Sequence, residues 1–171
     1  MDRIISQFIV AAAVLFALVG VLWGGWEVEH KSTAGQAASD QGQISQNIQT
    51  LYKIGTAGNY SNISNATAIN GGAIPQSMLN GDGSTIVGPW PNSRVTISSI
   101  DSGTGFQSAW TGVAAKDCAT FARSQTAVGG VEVNGTTISL TDVGTDLSSQ
   151  ISNACAAATS STATVTFLYT D

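Results

Sequence analysis

The side chains able to do chemistry are few, and their spacing argues against an enzyme. His30 is the only histidine, so any Ser-His-Asp or Cys-His relay would have to be assembled around it. It lies between Glu29 and Lys31, just past an apolar run, and reads as a solvated helix residue rather than a base. The two cysteines, Cys118 and Cys155, are too far apart for a CxxC redox pair, and with one histidine they make no zinc set. Gly103-Thr104-Gly105 lacks the GK[ST] or GxxG continuation of a phosphate-binding loop. Asp142 and Asp146 are four apart and fit one helix face, but acids at the start of a helix are the simpler reading. The Asn-x-Ser/Thr triplets at Asn59, Asn62, Asn65 and Asn134 occur in a chain rich in those residues and carry no assignment. No catalytic residue, cofactor or metal site is expected.

The chain has 171 residues, a formal net charge of -5 and a pI near 4.5, enough length for one domain with a real core. The six cations, Arg3, Lys31, Lys53, Arg94, Lys116 and Arg123, are scattered, so no basic patch forms to neutralise several phosphates and nucleic acid is not an expected partner. Charged residues make up only 10% of the chain, against roughly 25% in soluble globular proteins. Small neutral polar residues take their place, as a densely packed surface tolerates.

From Ile4 to Trp26 no residue is charged. A helix of that length, rising about 1.5 Å per residue, spans a hydrocarbon core. A secretory signal is the rival, but its apolar region runs about 7–15 residues and ends in a small-x-small site. This run is longer and ends in Trp23-Gly24-Gly25-Trp26, with tryptophans suited to a membrane edge. The expected topology puts the N-terminus at the cytoplasmic side and the acidic, cysteine-bearing remainder outside.

The helix is expected to continue to about residue 54. Ile44, Ile48, Leu51 and Ile54 form a stripe for packing on a sheet, and Gly55 is the expected stop. Gly24-Gly25 reads as a place to bend or melt, or equally as a point of close helix contact. Residues 56–93 read mostly as loop, with a short helix at 74–79 begun by Pro75. Strands are expected at 94–100 and 105–111 around a turn at 101–103. A hairpin is expected at 131–140 about Asn134-Gly135, with a last strand at 162–169. Helices are expected at 113–124 and 146–156. The fold class is α+β: a long N-terminal α-helix (1–54, with 1–26 apolar) and a head (55–171) of antiparallel sheet plus short helices. Outside the cytoplasm Cys118 and Cys155 are expected to pair, stabilising the head by roughly 3–4 kcal/mol in the chain-entropy account.

This arrangement resembles a type IV pilin of the IVb branch, and within it the PilS-type thin-pilus pilins of conjugative plasmids. The resemblance rests on Gln46-Asn47-Ile48-Gln49-Thr50-Leu51, Gly72-Ala73-Ile74-Pro75-Gln76-Ser77-Met78, Gly88-Pro89-Trp90-Pro91-Asn92, Asp117-Cys118 and Asn153-Ala154-Cys155. It implies a homo-oligomeric filament for cell–cell contact, adhesion or conjugation. The precursor would be held in the inner membrane, cut by a prepilin peptidase and exported by a pilus assembly machinery. Met1 would then be the processed, N-methylated end. Ala11, Ala12, Ala13, Ala17 and Gly20 would allow close helix packing in the filament core. A single-pass anchored surface protein and a minor pilin are the alternatives. In one respect the chain departs from the family: Ile5 stands where a Glu is usual. Asp2 is the available carboxylate to offset a buried amino terminus, and Arg3 would need a partner such as Asp2 of another subunit. On this account Asp2→Ala lowers the filament mass recovered by shearing; an unchanged yield would discard the pairing.

Overall fold

The computed structural model describes residues 33–54, 57–125, 129–140, 146–158 and 160–170. The apolar run therefore lies outside the described residues, as do Met1, Asp2, Arg3, His30, Gly55 and Asp142. Among the described residues no helix is long and apolar enough to cross a membrane. The chain divides into two compact units, Met1–Thr33 and Ala34–Asp171. The second is an α+β unit with one core.

Helix α1 covers 33–52 of the described residues. Its buried positions are Ala34, Ala37, Asp40, Gln41, Ile44, Ser45 and Ile48; Ala34, Ala37, Gln41, Ile44 and Ile48 alternate by three and four so that they fall on one stripe. The expected stripe holds for Ile44 and Ile48 and fails beyond them. Leu51 is 45% exposed, and Lys53–Ile54 leave the helix to form β1, paired antiparallel with β2 (Ala57–Gly58). The helix is thus two residues shorter than its apolar pattern suggests. Tyr52 turns inward in place of Leu51, and its ring lies 6.0 Å from that of Tyr60.

Six further strands form one antiparallel sheet: β3 (Ile86–Val87), β4 (Arg94–Ile100), β5 (Gly105–Ala114), β6 (Gly130–Val133), β7 (Thr136–Ser139) and β8 (Thr162–Thr170), in the order β3-β4-β5-β8-β6-β7. The alternation in β4, β5 and β8 sets one face inward. Val95 and Ile97, Phe106, Ser108 and Trp110, and Val165, Phe167 and Tyr169 are all buried, and the register aligns them across the strands. The Asn134-Gly135 hairpin forms as expected, with both residues at positive φ (51° and 84°), which a two-residue hairpin turn of this hand requires. Strand β5 runs three residues past its expected end, through a register shift between Trp110 and Val113. There Gly112 has φ +73°, and a Cβ would come within 3.0 Å of the Ser93 backbone. The bulge is a glycine position for both reasons.

Helices α2 (Asn65–Asn70), α3 (Ala115–Ala122) and α4 (Leu147–Ala156) complete the head. Helix α2 was not expected from the sequence. Ser64 and Thr67 build its capping box, in a stretch otherwise dense with turn residues. The proline-started turn is a 3-10 turn at Gln76–Met78. Helix α3 begins two residues later than its pattern suggests, because Val113 and Ala114 complete β5.

Candidate functional site

Three connections join the parts of the head. The first is Gln41, polar yet fully buried on the inner stripe of α1. Its Oε1 accepts hydrogen bonds from Trp110 Nε1–H (2.6 Å) and Ser108 Oγ–H (2.8 Å), and its Nε2 donates to Tyr169 Oη (2.8 Å). An indole N–H only donates, so the carboxamide must face it with oxygen, which settles its orientation. One side chain thereby ties α1 to β5 and β8. Burial pushes the Tyr169 hydroxyl above its usual pKa, opposed by the hydrogen bonds from Gln41 and Ser45.

The second is the Gly88–Asn92 turn. Gly88 N–H donates to Ser93 O (3.2 Å), Ser93 N–H donates to Trp90 O (3.0 Å), and Asn92 sits at φ 60°. This turn delivers Trp90 to a cluster with Trp110 and Phe121, at centroid distances of 6.2 and 5.2 Å, and Phe121 meets Phe167 at 5.1 Å. The Trp90 indole N–H donates to Asp117 Oδ2 at 2.8 Å, both residues being buried. A buried carboxylate in the first turn of α3 gains from that donor and from the helix N-terminus.

The third is covalent. Cys118 of α3 and Cys155 of α4 form a disulfide, with Cα atoms 5.9 Å apart. Neutral carboxamides add the remaining stitches. Asn65 donates to Val95 O (2.9 Å) and accepts from Ile97 N–H (2.7 Å), completing the edge of β4 where β3 has ended. Asn134 joins Thr164 N–H to Ala154 O, Asn47 holds Ala73 O, and Gln125 holds Ala38 O. In a chain with few charges, amides do the work that ion pairs do elsewhere.

Of the residues singled out by sequence, the structure brings together Cys118 and Cys155. Asp146 is the N-cap of α4, accepting from Ser149 N–H (3.1 Å) and Ser149 Oγ–H (2.6 Å). Gly103 has φ +95° and presses against Ser61, while its carbonyl accepts from Tyr60 N–H (2.8 Å). It shapes a turn rather than a phosphate cradle. Met1, Asp2, Arg3, Ala11, Ala12, Ala13, Ala17, Gly20, Gly24 and Gly25 lie outside the described residues. Sequence reading missed Gln41 and the Trp90–Asp117 bond. A glutamine at a position of the three-four apolar repeat was the signal for the first.

A family model described as Bundlin matches residues 29–170. The chain belongs to the Bundlin family, a family of type IVb pilins. The Bundlin match covers the head through residue 170 and begins just past the apolar run. The fold is similar to that of the type IVb pilin from Salmonella typhi, with a TM-score of 0.59, 18% identity, and coverage of 80% of this chain and 99% of that one. No curated protein sequence matches at a significant level. As a Bundlin-family pilin, the chain is a subunit of an extracellular type IV pilus, and the family is structural rather than enzymatic.

Two predictions follow from this geometry. Gln41→Leu keeps the volume but strands the Trp110, Ser108 and Tyr169 groups, at about 1–3 kcal/mol for each buried group left unpaired. The expected result is a lower urea midpoint for the detergent-solubilised pilin, by more than Asn47→Leu causes; equal midpoints would remove Gln41 from its central role. Hydrogen bonds from Thr85, Ser84 and Asn80 hold the Asp82 carboxyl far below the usual carboxylate range, and those from Ser149 lower Asp146. A depressed folded-state pKa contributes stability at neutral pH that is lost as pH falls, here from about pH 5 downward. Asp82→Asn and Asp146→Asn together should flatten the acid limb of stability against pH.

Proposed function

We propose that the chain is a major pilin, the subunit that builds the body of the filament, of the PilS type used in conjugative cell–cell contact. On this reading the segment up to residue 52 acts as one long helix, and Lys53–Ile54 turn out of it into β1. The apolar part of the helix holds the precursor in the inner membrane until the assembly machinery extracts it, and then packs against the same segment of neighbouring subunits. Residues 55–171 form the surface of the pilus. The observation that carries this reading is the Bundlin match over residues 29–170 following directly on the uncharged run Ile4–Trp26.

The physical logic is an exchange of environments. Lipid tails are as apolar as leucine, so moving the helix from bilayer to filament gains little from burial alone; close approach at Ala11, Ala12, Ala13, Ala17 and Gly20 supplies dispersion contacts that lipid cannot match. Flexure at Gly24-Gly25 would let the head settle against its neighbours. A low-charge surface suits heads that pack densely, because each buried and unpaired charge costs several kcal/mol.

Intact-mass and N-terminal fragmentation of material sheared from cells tests the reading. The expected result is this chain as the main species, beginning at an N-methylated Met1 and about two mass units light for the disulfide. Retention in the membrane fraction with an unmodified or formylated methionine would reduce it to an anchored surface protein.

A further inference from the structure

Three charged side chains among the described residues, Asp40, Arg94 and Asp101, bond to no other described residue; Asp101 is exposed at a turn, whereas Asp40 is a buried acid on α1 and Arg94 an exposed base on β4. Asp40 of α1 is 7% exposed, and its side chain makes no hydrogen bond or ion pair with the described residues. The fully enclosed, unsatisfied side-chain atom among these residues is Ser93 Oγ, so the Asp40 oxygens still reach the surface. Burial pushes this carboxyl above the usual range. Its charged form therefore costs the isolated subunit stability at neutral pH, a cost relieved as pH falls.

Arg94 opens β4 with an exposed side chain. Val95 and Ile97 point into the core, so Arg94 lies on the outer face of the sheet, away from the face that Gln41 of α1 contacts. Thr111 bonds its carbonyl, and its guanidinium bonds to no described residue. The other described cations are engaged: Lys53 and Lys116 have partners, and Arg123 donates to Ala119 O and Ser148 Oγ.

We propose that in the filament the Arg94 guanidinium of one subunit seats on the Asp40 carboxylate of the next. This rests on the filament reading and adds a specific contact to it. A helical filament needs a heterologous interface, in which one face of each subunit meets a different face of its neighbour. An acid on the helix side and a base on the outer sheet face meet that requirement, whereas a two-fold contact would not use them. Asp40 has already lost most of its hydration in the subunit, so a planar guanidinium can pair with it at little further desolvation of the acid. The pairing also gives a role to a buried acid in a chain with so few charges.

The test uses filaments sheared from cells carrying Arg94→Lys, treated with a carbodiimide that joins a carboxylate to an amine in direct contact. Mass spectrometry should find an inter-subunit amide between Asp40 and the lysine introduced at position 94. Linkage of Asp40 only to Lys31, Lys53 or Lys116, or no linkage while other carboxylates react, overturns the pairing. In parallel, Asp40→Asn should raise the melting temperature of the detergent-solubilised subunit while reducing filament mass per cell. A purely structural role for Asp40 would not split the two readouts in this way. Arg94→Gln should reduce filament mass by the same factor, and the double variant should lose no more than either single one. Losses that multiply overturn the proposal. Wild-type cells serve as the control for the underlying reading: if they yield no filaments, the filament role falls first and the contact falls with it.

Discussion

The head depends on a single buried carboxamide. A helix lying on a sheet needs apolar burial for stability, but burial is non-directional and leaves sliding and rotation cheap. Gln41 removes that freedom, because its three hydrogen bonds to Ser108, Trp110 and Tyr169 are satisfied in one placement of α1 over β5 and β8. In an enclosed setting a fully satisfied polar network specifies one arrangement, and a partly satisfied one is costly. The aromatic rings around it pack accordingly, with Phe106 stacked on Tyr169 at 4.6 Å and Trp110 edge-on to Phe121 at 5.0 Å.

The remaining connections sit at the two places where the sheet alone would leave segments loose. The stretch from 59 to 93 has little regular structure, yet it is fastened at Asn65 to β4, at Ala73 to α1 and at Trp90 to α3. Helices α3 and α4 are far apart in sequence and are joined by the Cys118–Cys155 bond. A subunit that bears load from its neighbours needs its surface segments to move with its core. Amides, one indole–carboxylate bond and one disulfide supply that coupling without adding exposed charge.

Most of the strands and the α+β class were legible in the sequence. Alternation at 94–100 and 162–169, the Asn-Gly hairpin and the turn at 101–103 are local signals, and the chain obeys them. The errors fall where tertiary contacts outweigh local pattern. Leu51 fits the apolar repeat of α1, but the chain turns out of the helix at Lys53 and Tyr52 takes the inward place. Val113 and Ala114 have helix-forming neighbours, but pairing with Thr162 and Ala163 across a glycine bulge keeps them in β5. Helix α2 is six residues long and rests on a capping box too short to stand out among so many Ser, Thr and Asn.

By itself the sequence determined the composition-level facts: an uncharged run long enough to span a membrane, one histidine and two cysteines without zinc-site spacing, and a head of alternating strands. These depend on residue type and short spacing, which survive without knowledge of the fold. Only the tertiary structure decided that Gln41 faces inward, that Trp90 reaches Asp117, and that Asp40 is buried while Arg94 is exposed, neither side chain bonding to a described residue. Hydrogen-bond partners separated by 27 to 128 residues are chosen by the packing of the whole sheet, and no local pattern in the chain encodes that choice.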